Sequence, residues 1–359
     1  MASGAFAPLR RIGNMPLKAA QQYSRTIVDI TPLGNGHIND TYLVNTGQHY
    51  FVLQKINHFV FAQPEQIMAN LMVLNQHVRE NHANQNTLKI PELLLTENGS
   101  NCFQDDQDNY WRALSYIENT ESLETISNLA EAEQVGSALG QFHRLSGLVN
   151  IEKLHDTLPG FHICPDYLDH YLQVKKATNV QEDPYCADFI EKHQHITHDL
   201  EAAKAEGLLS VRVIHGDPKL NNFLFDKDSQ RIVSIVDLDT VKPGLVHYDI
   251  GDCIRSCCHT EVTDGFNLEV CQTLLTSYLN EMGASFSGYD YQFLYPAIRL
   301  IPFELGLRFY TDYLEGNRYF KVTVPDENLH RAETQFRLCA SVIAHEAQII
   351  KLIKNVAAK

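Results

Sequence analysis

The pattern of secondary structure in this chain changes near residue 118, from β-rich to helical. Before that point, short runs of branched and aromatic residues alternate with turns, and one amphipathic helix begins near Pro64. After it, apolar residues recur mostly at helical spacing, interrupted by two short β runs at 211–214 and 232–236. The predicted strands lie at 27–33, 41–44, 50–56, 88–95 and 110–117, and the first predicted helices of the second part at 130–146 and 190–207. This order predicts an α+β fold of two lobes with a cleft between them.

Three segments follow from this pattern: a basic leader over 1–25, a β-rich lobe over 26–117 and a helical lobe over 118–359. The leader contains four basic residues and no acidic one. We expect it to end in a short helix, although a similar bias is found in mitochondrial targeting signals.

The composition excludes several classes of function. The formal charge of −15 argues against a nucleic-acid partner, because such a surface repels phosphate backbones. Apolar stretches are short and interrupted, so no membrane span is predicted. The eight cysteines include no C-x-x-C pair, which favours reduced thiols and a cytoplasmic location. The oligomeric state is not indicated.

The strongest motif is the polar segment V-I-H-G-D-P-K-L-N-N-F-L-F-D at 213–226. Asp217 is followed five residues later by Asn222, which is the H-x-D-x-x-x-x-N spacing of the catalytic loop in protein-kinase-like phosphotransferases. An aspartate at the start of such a loop can face an incoming hydroxyl, while the asparagine points at a metal ion. Lys219 is placed to offset the charge of a transferring phosphoryl group.

A second acidic motif, S-I-V-D-L-D-T, follows twenty residues after Asp217. Asp237 ends a β run where a second metal-binding aspartate belongs, and hard oxygen ligands suit the magnesium ion that accompanies ATP. Asp239 could orient substrate, bind metal through water or cap a turn. Asp249, in Y-D-I-G-D, is expected to hold the catalytic loop, and His143 to be packed or hydrogen-bonded on its helix.

These motifs, in this order and spacing, resemble the aminoglycoside phosphotransferase and choline kinase superfamily. The segments G-N-G-H-I-N-D-T-Y-L-V, D-L-D-T-x-x-P-G, G-D-x-I-R and G-L-R-F-Y-T-D-Y-L-E-G are closest to N-acetylhexosamine 1-kinases. The resemblance extends from about residue 30 to 337. It implies a protein-kinase-like fold with a small β-rich N-lobe, a larger helical C-lobe and an ATP cleft between them.

The resemblance also implies binding residues. A turn that covers the nucleotide would comprise Gly34, Asn35, Gly36, His37 and Asn39, with glycines that let backbone amides approach phosphate. Adenine would meet the backbone of the hinge at Tyr116 and Ile117. Arg308 and Tyr319 would hold the sugar, with Asp239 as a further substrate residue.

One departure from the protein-kinase pattern concerns the third strand. Protein kinases place a lysine there to hold the α- and β-phosphates. Gln54 occupies the expected position, and Lys55 falls on the opposite face of a regular strand.

The sequence therefore predicts a magnesium- and ATP-dependent kinase with Asp217 as base, Asn222 and Asp237 as metal ligands, and a small-molecule sugar as acceptor. The favoured acceptor is the anomeric hydroxyl of an N-acetylhexosamine. The alternatives are a kinase for an aminoglycoside, choline or an amino-alcohol, and a nucleotide-binding pseudokinase, which the missing strand-three lysine suggests.

Overall fold

The computed structural model describes residues 14–34, 38–82, 88–260 and 265–358. The β-rich part comprises helices α1 (Asn14–Ala20) and α2 (Pro64–His82) and strands β1 (Asp29–Pro32), β2 (Asp40–Asn45), β3 (Tyr50–Ile56), β4 (Leu93–Leu94), β5 (Phe103–Gln104), β6 (Tyr110–Ser115) and β7 (Thr120–Glu121). Six of these strands form one antiparallel sheet in the order β1-β2-β3-β6-β4, with β5 also paired to β6.

The two faces of this sheet pack against different partners. Leu53 of β3 and Trp111 of β6 lie on the face covered by α1, in a small core that includes Ala19 and Ala20. Because side chains alternate along a strand, Gln54 and its register partner Arg112 lie on the opposite face. This second face looks toward α2 and the rest of the molecule.

The remainder of the chain is predominantly helical. Its helices are α3 (Leu129–Ser146), α4 (Cys164–Ala177), α5 (Pro184–His193), α6 (Asp199–Ala205), α7 (Val246–Cys258), α8 (Leu268–Met282), α9 (Gly288–Gln292), α10 (Leu294–Leu314), α11 (Glu327–Ala344) and α12 (Glu346–Ala357). Its strands are β8 (Arg212–Ile214), β9 (Phe223–Asp226), β10 (Ile232–Ile235), β11 (Lys242–Gly244), β12 (His259–Thr260) and β13 (Gly265–Phe266).

Helix α10 lies at the centre of the helical part, against α4, α7 and α11, and α3 packs along α8. The small pairs β8–β11 and β9–β10 lie between these helices and the N-terminal sheet and carry the polar loops. The predicted α+β fold, with a small sheet-based lobe and a larger helical lobe, is confirmed. We propose the link at 116–119, between β6 and β7, as the boundary between the lobes.

Two predicted elements differ from the structure. The helix predicted at 190–207 is interrupted by a 3₁₀ segment, Gln194–His198. There the Thr197 hydroxyl donates to the Gln194 carbonyl (2.7 Å), and such local bonds compete with helical ones. The strand predicted at 88–95 reduces to β4, because Pro91 cannot donate to a ladder; Lys89 forms only an isolated bridge with Ser234. The predicted short helix in the leader is present as α1.

Among the helices of the described residues, none combines the length and the apolar character that crossing a bilayer requires.

The contact between α3 and α8 depends on Gly136. A Cβ atom at this position would lie 2.1 Å from the Leu274 carbonyl oxygen of α8. Although alanine is the better helix former, we expect Gly136→Ala to destabilise the protein by about 1–3 kcal/mol through overpacking. Gly288→Ala is the matched control, because its Cβ would meet no atom within 4 Å. Denaturant unfolding of both variants measures the difference, and equal stabilities would contradict this account of the interface.

Candidate active site

The loop between β8 and β9 carries the two residues predicted to be catalytic. Lys219 Nζ lies 2.8 Å from Asp217 Oδ2, and both side chains are about one-third exposed, at 34% and 31%. Burial alone would lower the pKa of Lys219, but the carboxylates of Asp217 and Asp237 raise it above its ordinary value. The structure therefore presents a charged lysine and a carboxylate together at the surface of the cleft.

Asn222 closes this loop and orients it toward the predicted metal aspartate. Its Nδ2 donates to the backbone carbonyl oxygen of Asp217 (2.7 Å). Its backbone carbonyl oxygen accepts from the backbone N–H of Val236 (2.9 Å). The second bond ties the loop to the residue immediately before Asp237. Among the described residues, none donates a hydrogen bond to Asn222 Oδ1, so this oxygen is left for another ligand.

Asp237 adopts a left-handed backbone conformation, with φ 65° and ψ 54°. This conformation costs a non-glycine residue about 1–3 kcal/mol and is concentrated at functional sites. The residue is exposed at the protein surface. The surrounding protein nevertheless raises its pKa to about 6, mainly by desolvation; Lys219 opposes this effect, and the nearby charge of Asp239 adds to it. A cation at this position would favour the ionised form.

The start of the loop is fixed by Asp249, which is fully buried on α7. Its Oδ2 accepts from the His215 N–H (2.6 Å) and its Oδ1 from the Gly216 N–H (2.8 Å). Gly216 has φ +89°, and a Cβ there would lie 2.7 Å from the Thr240 carbonyl oxygen. Only glycine fits at this position. As expected, Asp249 holds the loop that carries Asp217.

His143 completes this buried network from α3. Its Nε2 lies 2.8 Å from Asp249 Oδ2 and its Nδ1 2.8 Å from the Tyr278 hydroxyl, which confirms that this histidine is hydrogen-bonded. Burial alone would raise the pKa of Asp249, but the hydrogen bonds from His143 and the loop backbone lower it below its ordinary value. Asp249 is therefore a carboxylate at neutral pH.

Asp239 lies apart from the open cleft, although the sequence placed it among the substrate residues. Only 2% of it is exposed. Its Oδ2 accepts from Asn39 Nδ2 (2.7 Å), and its Oδ1 pairs with Arg112. Both oxygens are engaged, so this geometry favours a positioning role over contact with substrate. The Asn39 side chain, predicted to meet nucleotide, is likewise engaged through Asp239 and the Asn57 N–H (3.0 Å).

Of the other predicted nucleotide residues, Gly34, Tyr116 and Ile117 lie after two different strands of the N-terminal sheet. Gly34 turns after β1 with φ +69°. Asn35, Gly36 and His37 lie outside the described residues. Tyr116 and Ile117 lie in the link after β6, where the Ile117 carbonyl accepts from the Thr120 hydroxyl (2.8 Å).

Arg308 and Tyr319 meet at a cavity of about 270 Å³ on the helical lobe. The Arg308 guanidinium carbon lies over four aromatic rings: Phe161 and Tyr167 (both 5.1 Å), Phe320 (5.5 Å) and Tyr319 (5.9 Å). Within the described parts of the chain, Arg308 forms no hydrogen bond and no ion pair. Burial opposes its charge, but Tyr167, Glu304 and Asp217 keep its pKa above the ordinary value.

The carboxylates that line the same cavity are already engaged. Asp312 accepts from three successive backbone N–H groups, those of Arg318, Tyr319 and Phe320, at 2.8–3.0 Å. Glu315 pairs with His170 (3.2 Å). Both carboxylates are therefore hydrogen-bonded to neighbouring protein groups, whereas the Arg308 guanidinium faces aromatic rings.

Two residues near the loop were not predicted from the sequence. His162 holds the Gly216 carbonyl through Nε2 (2.8 Å) and Glu304 through Nδ1 (3.0 Å). Burial alone would lower its pKa, but Glu304 raises it. Arg112 pairs with Asp239 from β6. Neither residue lies near a recognised motif. The one signal in the sequence was that Arg112 interrupts a mostly apolar predicted strand. Its partner could not be predicted, because it depends on the register of that strand.

The Asp249 network predicts a pH-dependent stability. Because the folded pKa is depressed, the carboxylate stabilises the protein above the unfolded value of about 4, and this contribution is lost as pH falls through the folded pKa. Asp249→Asn should therefore destabilise the protein strongly at pH 7, by about 3–5 kcal/mol, and less at pH 3.5. Denaturant unfolding of both proteins across this range tests it. A difference that stays constant with pH would contradict the assignment.

Comparison with known proteins identifies the family to which this chain belongs. Residues 29–284 match the phosphotransferase enzyme family (APH). A microcompartment-associated aminopropanol kinase has 17% identity and a TM-score of 0.69, over 94% of this chain and 98% of that one. An aminoglycoside phosphotransferase from Alicyclobacillus acidocaldarius has 13% identity and a TM-score of 0.61, over 98% of both. A Plasmodium vivax ethanolamine kinase has 11% identity and a TM-score of 0.55, over 89% and 84%. At these identities the structures share the fold, and the family match covers most of the chain: the protein belongs to the phosphotransferase enzyme family.

Proposed function

We propose that this protein is an ATP-dependent kinase that transfers the γ-phosphate to a hydroxyl of a small sugar, with the anomeric hydroxyl of an N-acetylhexosamine as the favoured acceptor. The observation that carries the proposal is the arrangement of Asp217, Asn222 and Asp237. One buried carboxylate, Asp249, fixes the loop that bears the first two. A backbone bond from Val236 to Asn222 holds the third beside them.

In the proposed reaction the acceptor oxygen attacks the γ-phosphorus in line with the bond to the leaving oxygen. A new O–P bond forms, the bond to the β-phosphate oxygen breaks, and ADP leaves with that electron pair. Asp217 orients the acceptor hydroxyl and takes its proton. Lys219, held 2.8 Å from Asp217, offsets the charge on the transferring group.

The donor set at the cleft fits a magnesium ion. Asn222 Oδ1 and the Asp237 carboxylate are hard oxygen ligands of the type that magnesium prefers when it is bound with ATP. When bound, the ion would neutralise charge on the β- and γ-phosphate oxygens. It would also favour the ionised form of Asp237, whose pKa the protein raises to about 6.

The acceptor assignment rests on the resemblance to hexosamine kinases and on Arg308. A guanidinium offers five donors in a fixed plane, which suit sugar hydroxyls and an acetamide carbonyl. Tyr319 and Tyr167 contribute aromatic faces and hydroxyls at the same cavity. The Arg308 guanidinium would repel an ammonium group placed beside it.

The second candidate is a kinase for an amino-alcohol or an aminoglycoside. It is favoured by the names of the similar solved structures, which include aminopropanol, ethanolamine and aminoglycoside kinases. The positive charge of Arg308 argues against it, because a guanidinium repels a cationic acceptor that lies beside it. The complete set of Asp217, Asn222 and Asp237 argues against a pseudokinase.

Asp217→Asn tests the catalytic assignment. The substitution keeps the size of the side chain and removes the base, so we expect kcat to fall by about 10²- to 10⁴-fold. ATP affinity should change little, because the base contributes to the transition state rather than to nucleotide binding. Magnesium-dependent ADP release, measured with the best acceptor from a panel of sugars, aminoglycosides and amino-alcohols, gives both quantities. A variant with wild-type kcat would remove Asp217 from the mechanism.

Arg308→Ala tests the acceptor. We expect KM for the N-acetylhexosamine to rise by about 10- to 150-fold, the range for a lost contact to a charged donor, while KM for ATP stays within about twofold. Arg337→Ala is the matched control, since it removes an arginine that lies over Tyr185 (5.9 Å) in the same lobe but outside the cavity. Improved turnover of amino-alcohols with no change in sugar KM would instead favour the second candidate.

A further inference from the structure

The third strand lacks the cation that protein kinases use to hold the nucleotide phosphates. Gln54 stands in that position of β3, on the face of the sheet opposite to α1. The proposed function therefore needs another positive charge on this face of the sheet.

Arg112 lies directly opposite Gln54 on β6, as its register partner, and only 1% of it is exposed. Its Nε and Nη2 donate to Gln54 Oε1 at 3.0 Å and 2.7 Å. Nη2 also pairs with Asp239 Oδ1. Gln54 in turn donates to the Thr41 hydroxyl of β2 (3.1 Å), so the guanidinium is held by β3 directly, by β2 through Gln54, and by the loop that follows Asp237.

This arrangement links the elements that surround a nucleotide's phosphates in the proposed function. Asp239 lies two residues after Asp237, and its other oxygen accepts from Asn39, which follows the glycine turn. Arg112 thus reaches the predicted metal loop directly and the predicted nucleotide turn through one carboxylate. Protein kinases use a lysine–glutamate ion pair to hold the nucleotide phosphates, and the buried ion pair beside Gln54 here is that of Arg112 with Asp239.

One guanidinium nitrogen remains unused. Arg112 Nη1 is buried and has no hydrogen-bond partner among the described residues. A buried donor left unpaired costs about 1–3 kcal/mol, and more when it is charged, unless a ligand satisfies it. Planar guanidinium donors are well suited to phosphate oxygens.

We propose that Arg112 is the phosphate-binding cation of this protein, and that Gln54 and Asp239 hold its plane so that Nη1 donates to an α- or β-phosphate oxygen of a nucleoside di- or triphosphate. The inference rests on the proposed function and names a residue for it. Because Nη1 has no exposed surface, the groups that enclose it must move aside when the nucleotide enters.

The experiment compares adenosine, ADP and ATP, each with magnesium, by isothermal titration calorimetry. Arg112→Gln should raise the Kd for ADP and for ATP by about 10- to 150-fold. The Kd for adenosine should stay within about twofold of the wild-type value, because adenosine has no phosphate to hold. Arg79→Gln is the matched control, since it removes a charge from the same lobe at an exposed pair with Glu92 (3.6 Å). It should leave all three affinities unchanged.

A double variant, Gln54→Lys with Arg112→Gln, returns a cation to the strand-three position on the same face. This double variant should again bind ADP more tightly than adenosine. It also tests the role of Arg112 if the single variant Arg112→Gln does not fold. A folded double variant that binds adenosine but not ADP would overturn the assignment. So would Arg112→Gln protein that binds ADP as tightly as wild type, or that loses adenosine and ADP equally. If wild-type protein binds neither ADP nor ATP, the proposed function itself fails.

Discussion

The site depends on one buried carboxylate. On burial, Asp249 loses its hydrogen bonds to water and instead accepts hydrogen bonds from two backbone N–H groups of the loop and from one histidine nitrogen. These hydrogen bonds lower its pKa despite full burial. Removing any one donor would leave part of a buried charge unpaired, which is costly enough to hold the loop in one conformation. Gly216 is the matching backbone requirement, because the tight turn brings it against Thr240 with no room for a Cβ. The position of Asp217 follows from this anchor.

A second set of buried charges joins the N-terminal sheet to the loop that follows Asp237. Arg112 and Asp239 form a buried ion pair between the sheet and the loop that follows Asp237, and Asn39 adds a bond from the start of β2. Buried pairs of this kind add little net stability but impose strict geometry. Here they fix the orientation of the sheet-based lobe relative to the residues proposed to hold the metal ion. Charged residues in the interior thus tie the sheet to the loop that follows Asp237.

Local sequence signals were sufficient to predict the fold class and to locate the polar loop between β8 and β9. The alternation in β3, the apolar stripe of α2 and the spacing from Asp217 to Asn222 are each contained within a few residues. The interruption at Gln194–His198 was not predictable from periodicity, because a threonine side chain competes for a helical carbonyl. Asp239 was ambiguous for a different reason: its partners, Asn39 and Arg112, lie 200 and 127 residues away. Only the register of β3 against β6 brings Arg112 opposite Gln54.

The central chemical proposal is the transfer of a phosphoryl group from ATP to a carbon-bound oxygen of a sugar. Phosphorus-31 NMR of wild-type protein with magnesium, ATP and an N-acetylhexosamine tests it directly. The predicted result is ADP together with a new phosphomonoester resonance coupled to the anomeric proton of the sugar. A phosphomonoester that forms only with an amino-alcohol or an aminoglycoside would contradict the acceptor. No phosphomonoester with any acceptor would contradict the kinase reaction itself.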